Sequence, residues 1–245
     1  MRPRLAIPAL AVAFVLSASA HAAGGAGGAG DSGAVQFKLG WFFPSGNSDF
    51  WDANEAAFTL DHSDFNDITL GAGYVASINN HLEFGVGLEL YGHTQGSADR
   101  AYTDQNGFPI LHDTQLSLAP VTVDVRWLPG GRYKQSGSDP RYRTRRPVPY
   151  LGAGVGLVYW QYEEVGDFVA TDLSIVYDRF KESGLEFETH VMAGIEIPVA
   201  PAWYVYFEAR QSWAKATPGG VFATINPGQL DLGGTSVAFG GSYRF

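Results

Sequence analysis

Apolar residues fall at every second position in eight stretches of the chain. Val35, Phe37, Leu39, Trp41 and Phe43 alternate with Gln36, Lys38, Gly40 and Phe42, the pattern of a strand with one apolar face. Ile68 to Ile78 and Leu82 to Leu90 repeat it on either side of Asn79-Asn80-His81, which reads as a hairpin turn. A fourth strand over 114–128 carries Leu116 and Leu118, then Val121, Val123, Val125 and Trp127, with a phase slip at Ala119-Pro120 that suggests a bulge. In the fifth, over 150–161, Gly152, Gly154 and Gly156 stand opposite Leu151, Ala153, Val155 and Leu157, so its glycine face should meet something bulky. The sixth (185–197), seventh (203–210) and eighth (237–245) complete the set. Connections 44–66, 95–113, 162–184 and 214–229 read as long loops, while 79–81 and 198–202 are short. Antiparallel strands of about ten residues, joined by short links at one end and long ones at the other, predict an all-β fold: a transmembrane antiparallel up-and-down β-barrel of about eight strands.

Alternation alone fits a soluble barrel equally well, so the second face decides. It is rich in glycine, yet it also holds Glu83, Glu89, Asp124, Arg126, Glu186, Glu188, Glu196, Glu208 and Arg210. Small residues give charged ones room to cross and pair inside a narrow lumen. Aromatic residues at the ends of the apolar face, among them Trp41, Phe43, Trp127, Tyr159, Trp203 and Phe245, suit girdles at two membrane interfaces. The N-terminus adds the compartment. Arg2 and Arg4 precede an apolar run over 5–16 and the small residues of 17–23, which reads as a cleaved secretory signal over 1–22. A flexible Gly/Ala leader over 23–33 follows, then a single barrel over 34–245. The expected location is the bacterial cell outer membrane, with both termini periplasmic.

Composition closes several other routes. The 245 residues include no cysteine, which excludes disulfide scaffolds and thiol nucleophiles. A formal net charge of -9 argues against nucleic acid as a partner.

The last strand, Ser236-Val237-Ala238-Phe239-Gly240-Gly241-Ser242-Tyr243-Arg244-Phe245, resembles the terminal assembly signal of Gram-negative outer-membrane proteins. The resemblance makes Val237, Phe239, Tyr243 and Phe245 the residues presented to the barrel-assembly machinery. Leu118-Ala119-Pro120-Val121-Thr122-Val123-Asp124-Val125-Arg126-Trp127 and Pro149-Tyr150-Leu151-Gly152-Ala153-Gly154-Val155-Gly156 are similar to strands four and five of the outer membrane protein W family. That resemblance implies a porin-like passage for a small apolar solute and a part in envelope integrity, with outer-membrane lipids and lipopolysaccharide as surroundings. A non-conducting barrel that displays its loops is the alternative, and a lipid A acyl hydrolase the third reading. The 129–149 segment departs from the family pattern in being longer than a usual periplasmic turn.

Candidate chemistry is sparse, and neither a cofactor nor a dedicated metal site is expected. Lys38, Glu83, Glu89, Asp124, Arg126, Glu186, Glu188, His190, Glu196, Glu208 and Arg210, with Arg244, form the expected lumen ionic network. Its acids outnumber its bases, so a conducting lumen should prefer cations. His190 with Ser212, Ser236 or Ser242 is the basis of the hydrolase reading, but Met192 stands where the lipid A deacylases that it resembles carry a serine. Asp61-His62 matches a larger-barrel protease only weakly, and His93 with His112 is a poor metal pair. The first long loop holds Asp49, Asp52, Glu55, Asp61, Asp64 and Asp67 among Phe50, Trp51, Phe58, Leu60 and Phe65. These are either a solvated run, a set of carboxylates that divalent ions bridge to lipopolysaccharide phosphates, or an aromatic cap on the barrel mouth. Arg132, Lys134, Arg141, Arg143, Arg145 and Arg146 form a basic cluster, read either as a solubilising turn or as a contact for anionic headgroups.

Overall fold

The computed structural model describes residues 33–135, 143–220, 222–225 and 228–245. The expected signal and nearly all of the leader therefore lie outside the described residues. Eight antiparallel strands close into a barrel: β1 (Gly33–Pro44), β2 (Asp67–Ser77), β3 (Leu82–Thr103), β4 (Pro109–Trp127), β5 (Val148–Val169), β6 (Ile175–Pro198), β7 (Trp203–Trp213) and β8 (Gly234–Arg244). Each strand pairs with its sequence neighbours, and β1 pairs with β8 from Ala34↔Arg244 to Pro44↔Gly234. Closure leaves no sheet edge in the spanning part of the wall, the condition for crossing hydrocarbon with strands.

The wall has two storeys, and β5 displays both. From Leu151 to Tyr159 its apolar residues point outward while Gly152, Gly154 and Gly156 point inward. Beyond Tyr159 the pattern inverts: Gln161, Glu163 and Asp167 take the outer parity, while Trp160 and Tyr162 are buried inside. The lower storey is therefore apolar outside and polar within, as hydrocarbon demands, and the upper one follows the rule for water. Exposed Trp127, Trp203 and Tyr243 ring the band at the end that carries the chain termini. Trp41, Tyr159 and Trp213 ring it at the distal end.

The same inversion corrects the expected bulge in β4. Pairing with β5 runs without a register shift from His112↔Gly166 to Trp127↔Leu151, through Ala119 and Pro120. Leu116 and Leu118 are simply inward residues of the upper storey, and Val121 to Trp127 are outward residues of the lower one. Two long loops are corrected as well. Most of 95–113 and of 162–184 continues β3–β4 and β5–β6 as ladders, the first reaching Ala98↔Leu111 and, after a register shift, Thr103↔Pro109, the second reaching Val169↔Ile175 before the turn. Upward of Trp160 and Tyr162 the wall still has an apolar core to enclose, so it continues.

Candidate functional site

The lower storey is filled by a continuous ionic network. Arg126 Nε lies 2.7 Å from Asp124 Oδ1, and its Nη1 donates to Gln36 Oε1 at 3.0 Å. Gln36 Nε2 in turn donates to Glu196 Oε1 at 3.0 Å. On the other side, Tyr150 OH donates to Glu208 Oε2 at 2.9 Å. Lys38 bridges Glu208 and Glu89, and Arg210 Nη1 meets Glu89 Oε1 at 2.6 Å. Glycines supply the room. A Cβ on Gly85 would stand 2.4 Å from Asp124, one on Gly154 2.6 Å from the His190 ring, and one on Gly194 2.4 Å from Tyr150. On the glycine face of β5 the expected bulky partners are Met192 against Gly152 and the His190 ring against Gly154, while Gly156 lies against Thr122 and Val121 O.

The network contains a cation that sequence parity placed elsewhere. Arg132 belongs to the turn after β4, yet its guanidinium is buried in the lumen, with Nε 2.6 Å and Nη2 2.7 Å from the two oxygens of Glu83. It also pairs with Glu196, which Arg244 Nη2 meets at 2.8 Å. The turn folds back on the β2–β3 hairpin: Arg132 N donates to Asn80 O at 2.8 Å and Tyr133 N to Asn80 Oδ1 at 2.9 Å. Gly131 makes this reversal at φ +69, where a Cβ would also strike Asn80. Arg146 braces the same turn through Gly131 O at 3.1 Å. The basic cluster thus divides, with Arg132 inside the barrel; the side chains of Lys134, Arg141, Arg143 and Arg145 lie outside the described residues.

With Arg132 present, Glu83, Glu89, Asp124, Glu188, Glu196 and Glu208 face Lys38, Arg126, Arg132, Arg210 and Arg244. The expected surplus of acid nearly vanishes. Glu186 does not join this network: it is half-buried on the inward parity and has no ionic or hydrogen-bonding partner among the described residues. His190 is buried with Nδ1 3.5 Å from Glu188 Oε1, and neither ring nitrogen is hydrogen-bonded. Ser212 is its cross-strand partner, but the Ser212 hydroxyl donates to Gly234 O at 3.2 Å and no serine hydrogen-bonds the ring, so the arrangement behind the hydrolase reading is not formed.

Above the network the mouth is closed by loops. The 45–66 connection forms α1 (Asp49–Ala57) and a 3-10 turn (His62–Phe65). Ser48 caps α1 by accepting from Trp51 N, and Asp49 and Asp52 favour the positive end of its dipole. Phe50, Trp51, Leu60 and Phe65 are buried against Tyr91, Leu116, Leu118, Trp160 and Tyr162 of the wall. Phe222 and Leu230 of the β7–β8 connection complete this core. Trp51 Nε1 donates to Asp231 O at 3.3 Å, tying the two connections together. The aromatic residues of the first loop are therefore the cap. Between cap and ionic network lies a cavity of about 40 Å³, lined in part by Tyr91, Glu188, Arg210 and Ser212; it is large enough for a few water molecules.

Among the titratable groups of the upper storey, Glu164 and His112 are perturbed by burial. Glu164 is buried, accepts from Tyr162 OH at 2.8 Å and has no ion pair among the described residues; burial pushes its carboxyl up to about 7. Asn54 of α1 donates to the same Tyr162 hydroxyl at 3.0 Å, so Glu164 lies directly behind the seat of the cap. His112 meets Ser97 Oγ through Nε2 at 2.9 Å, with Phe58 across one side and Phe168 across another, and burial lowers its pKa. His93 is separate, 2.7 Å from Asp67 Oδ2. Val237, Phe239, Tyr243 and Phe245 line the outer face of the closing strand.

Over residues 9–245 the chain matches the family described as the outer membrane protein beta-barrel domain. No curated protein matches it. Among solved structures it is similar to the outer membrane protein OprG from Pseudomonas aeruginosa, at 12% identity over 88% of this chain and 96% of that one, with a TM-score of 0.49. Neisserial surface protein A is 14% identical over 87% and 97%, with a TM-score of 0.47. A major outer membrane protein from Thermus thermophilus is 10% identical over 87% and 100%, with a TM-score of 0.44.

Proposed function

We propose a function from the premise that the chain belongs to the outer membrane protein beta-barrel domain family: it is a non-conducting surface barrel that anchors and presents its distal hairpins outside the cell. The observation that carries this reading is the double filling of the lumen, ionic below and aromatic above, with the cavity of about 40 Å³ between them. Solute passage through the lumen would require a dense ion-pair network and an apolar core to part together, and buried pairs resist separation because each partner would be left uncompensated. Short turns at one end and tall hairpins with a capped mouth at the other support termini in the periplasm and the cap outside. Outer-membrane lipid and lipopolysaccharide then surround the lower storey, and the exposed row Val237, Phe239, Tyr243 and Phe245 serves the barrel-assembly machinery. No step of catalysis is assigned.

Conductance of the purified, refolded barrel in a planar bilayer tests the proposal. A silent bilayer from pH 5 to 8 is expected. Discrete openings that persist on removal of contaminating porins would return solute passage to the front.

A further inference from the structure

We propose that the free edge of β6 over 175–183 is a docking site for an extended segment of another protein, taken up as an added antiparallel strand whose charges complement Lys181, Asp178 and Glu182. The inference rests on the display reading, because only a hairpin presented to solvent can meet such a partner. The upper storey is an open sheet of four strands, β3 to β6: β2 pairs with β3 only as far up as Thr69↔Tyr91, and β7 with β6 only as far up as Thr189↔Trp213. It therefore has two edges, and the fold treats them differently. The β3 edge is covered by the first connection: Thr59 N donates to Ala98 O and Ala98 N to Thr59 Oγ1, both at 2.9 Å, and Phe58 forms a bridge with Asp99. The β6 edge has no such cover. Among the described residues, no backbone hydrogen bond joins 175–188 to the β7–β8 connection. That connection approaches at inward side chains instead, with Phe222 beside the Phe180 ring and Gly220 beside Glu182.

Arg179 N donates to the carboxylate of Asp178, the residue before it, at 2.7 Å, in the place that a strand would fill. In an antiparallel ladder, alternate residues turn both backbone groups the same way, so Ile175, Tyr177, Lys181 and Ser183 offer theirs to the same edge as Arg179. Uncovered edges of this kind are templates for another strand, and the side chains say which. On the outer face Ile175 and Tyr177 are exposed, Arg179 is held by Glu163 at 2.7 Å, and Lys181 is exposed with no ion pair among the described residues. On the inner face Asp178 and Glu182 are likewise without an ion pair among the described residues. Opposite charges across a ladder favour pairing. The partner strand therefore carries an acid facing Lys181, bases facing Glu182 and Asp178, and an aromatic or β-branched residue facing Tyr177. A second copy fits this edge poorly: two barrels upright in one membrane bring their β6 edges together pointing the same way, whereas antiparallel pairs are the more stable.

The test is fluorescence anisotropy of a labelled peptide, Thr-Lys-Glu-Val-Thr-Lys-Tyr-Thr-Val, with the refolded barrel in detergent micelles and empty micelles as the blank. Paired antiparallel, its first Thr faces Ser183 and its last Val faces Ile175. Saturable binding with Kd under about 1 mM is expected. N-methylation of the central Thr, whose N–H faces the Arg179 carbonyl, should weaken it at least tenfold, while N-methylation of the next Lys, whose N–H points away, should not. Lys181→Glu should weaken it to a similar degree, and a peptide with Lys in place of Glu should restore it; Lys215→Glu, at an exposed lysine off this edge, should leave it unchanged. Heat-modifiable mobility confirms that each variant has folded. Absence of saturation below about 1 mM, indifference to the central N-methyl group, or failure of the charge exchange to rescue Lys181→Glu would overturn the assignment. A disulfide-linked dimer of Tyr177→Cys in the bilayer would also overturn it, by making a second copy the occupant. Conductance separates this site from the reading it rests on: a conducting barrel that binds the peptide would remove the non-conducting reading and leave the edge site standing, and a silent barrel that fails to bind would do the reverse.

Discussion

Arg132 and Glu164 show how single side chains decide what fills the barrel. Arg132 spans Glu83 and Glu196 from a turn, and Arg132→Ala would leave both carboxylates to Arg244. Removing one partner of a buried ion pair costs about 3 to 5 kcal/mol; we expect a loss at the lower end, read as a lower urea midpoint in micelles with secondary structure unchanged. Glu164 runs the other way. Its carboxyl is raised by burial from an ordinary 4.5 to about 7, so between those values the folded protein binds more protons than the unfolded chain. The stability it permits is present in acid, falls as pH rises through that window and is fully lost above about 7, a difference of roughly 3 kcal/mol. Glu164→Gln should leave cap stability at pH 5 unchanged and raise it at pH 8. Hydrogen exchange of α1 at the two pH values checks this; an identical pH slope in the variant would count against the buried carboxyl as its source.

At the scale of elements, the strands were legible because a half-buried strand writes its two faces into alternate residues. What alternation could not show is which solvent lies outside. Leu116 and Leu118 break phase with Val121 to Trp127 because the surroundings change from water to hydrocarbon at that height, although the backbone runs straight through. Polar outward residues such as Gln161 and Glu163 made the upper ladders look like loops for the same reason. The inward set was read almost in full, but Arg132 was not, since its direction depends on Asn80 of another turn. The cap makes its own prediction. Trp51→Ala empties the centre of the distal core and costs about 3 to 5 kcal/mol there. Because the cap packs on the wall without forming it, cleavage within 45–66 should accelerate in limited proteolysis while heat-modifiable mobility persists. The closing strand makes another: Phe245 N donates to Gly33 O at 3.1 Å and Gly33 N to Phe245 O at 3.3 Å, and the Phe245 ring lies beside Tyr74 and Tyr243. Deleting Phe245 should slow assembly and leave unfolded protein in the periplasm, measured as the heat-modifiable fraction after pulse labelling.

For the whole molecule, the two storeys work as two unlike plugs in one tube. In the bilayer, glycines on the wall make room for ion pairs that would be costly to part; beyond it, two connections and four tall strands enclose an aromatic core. The chain contains no cysteine, so single cysteines can be placed along β5 and their reaction with a membrane-impermeant thiol reagent measured in proteoliposomes. The account predicts that inward positions 148, 150, 158, 160 and 162 all stay unreactive from either side, while outward positions 161 and 167 react at the cap side. A continuous reactive lane of inward positions from the mouth to the terminal end would reveal an open water path and contradict it.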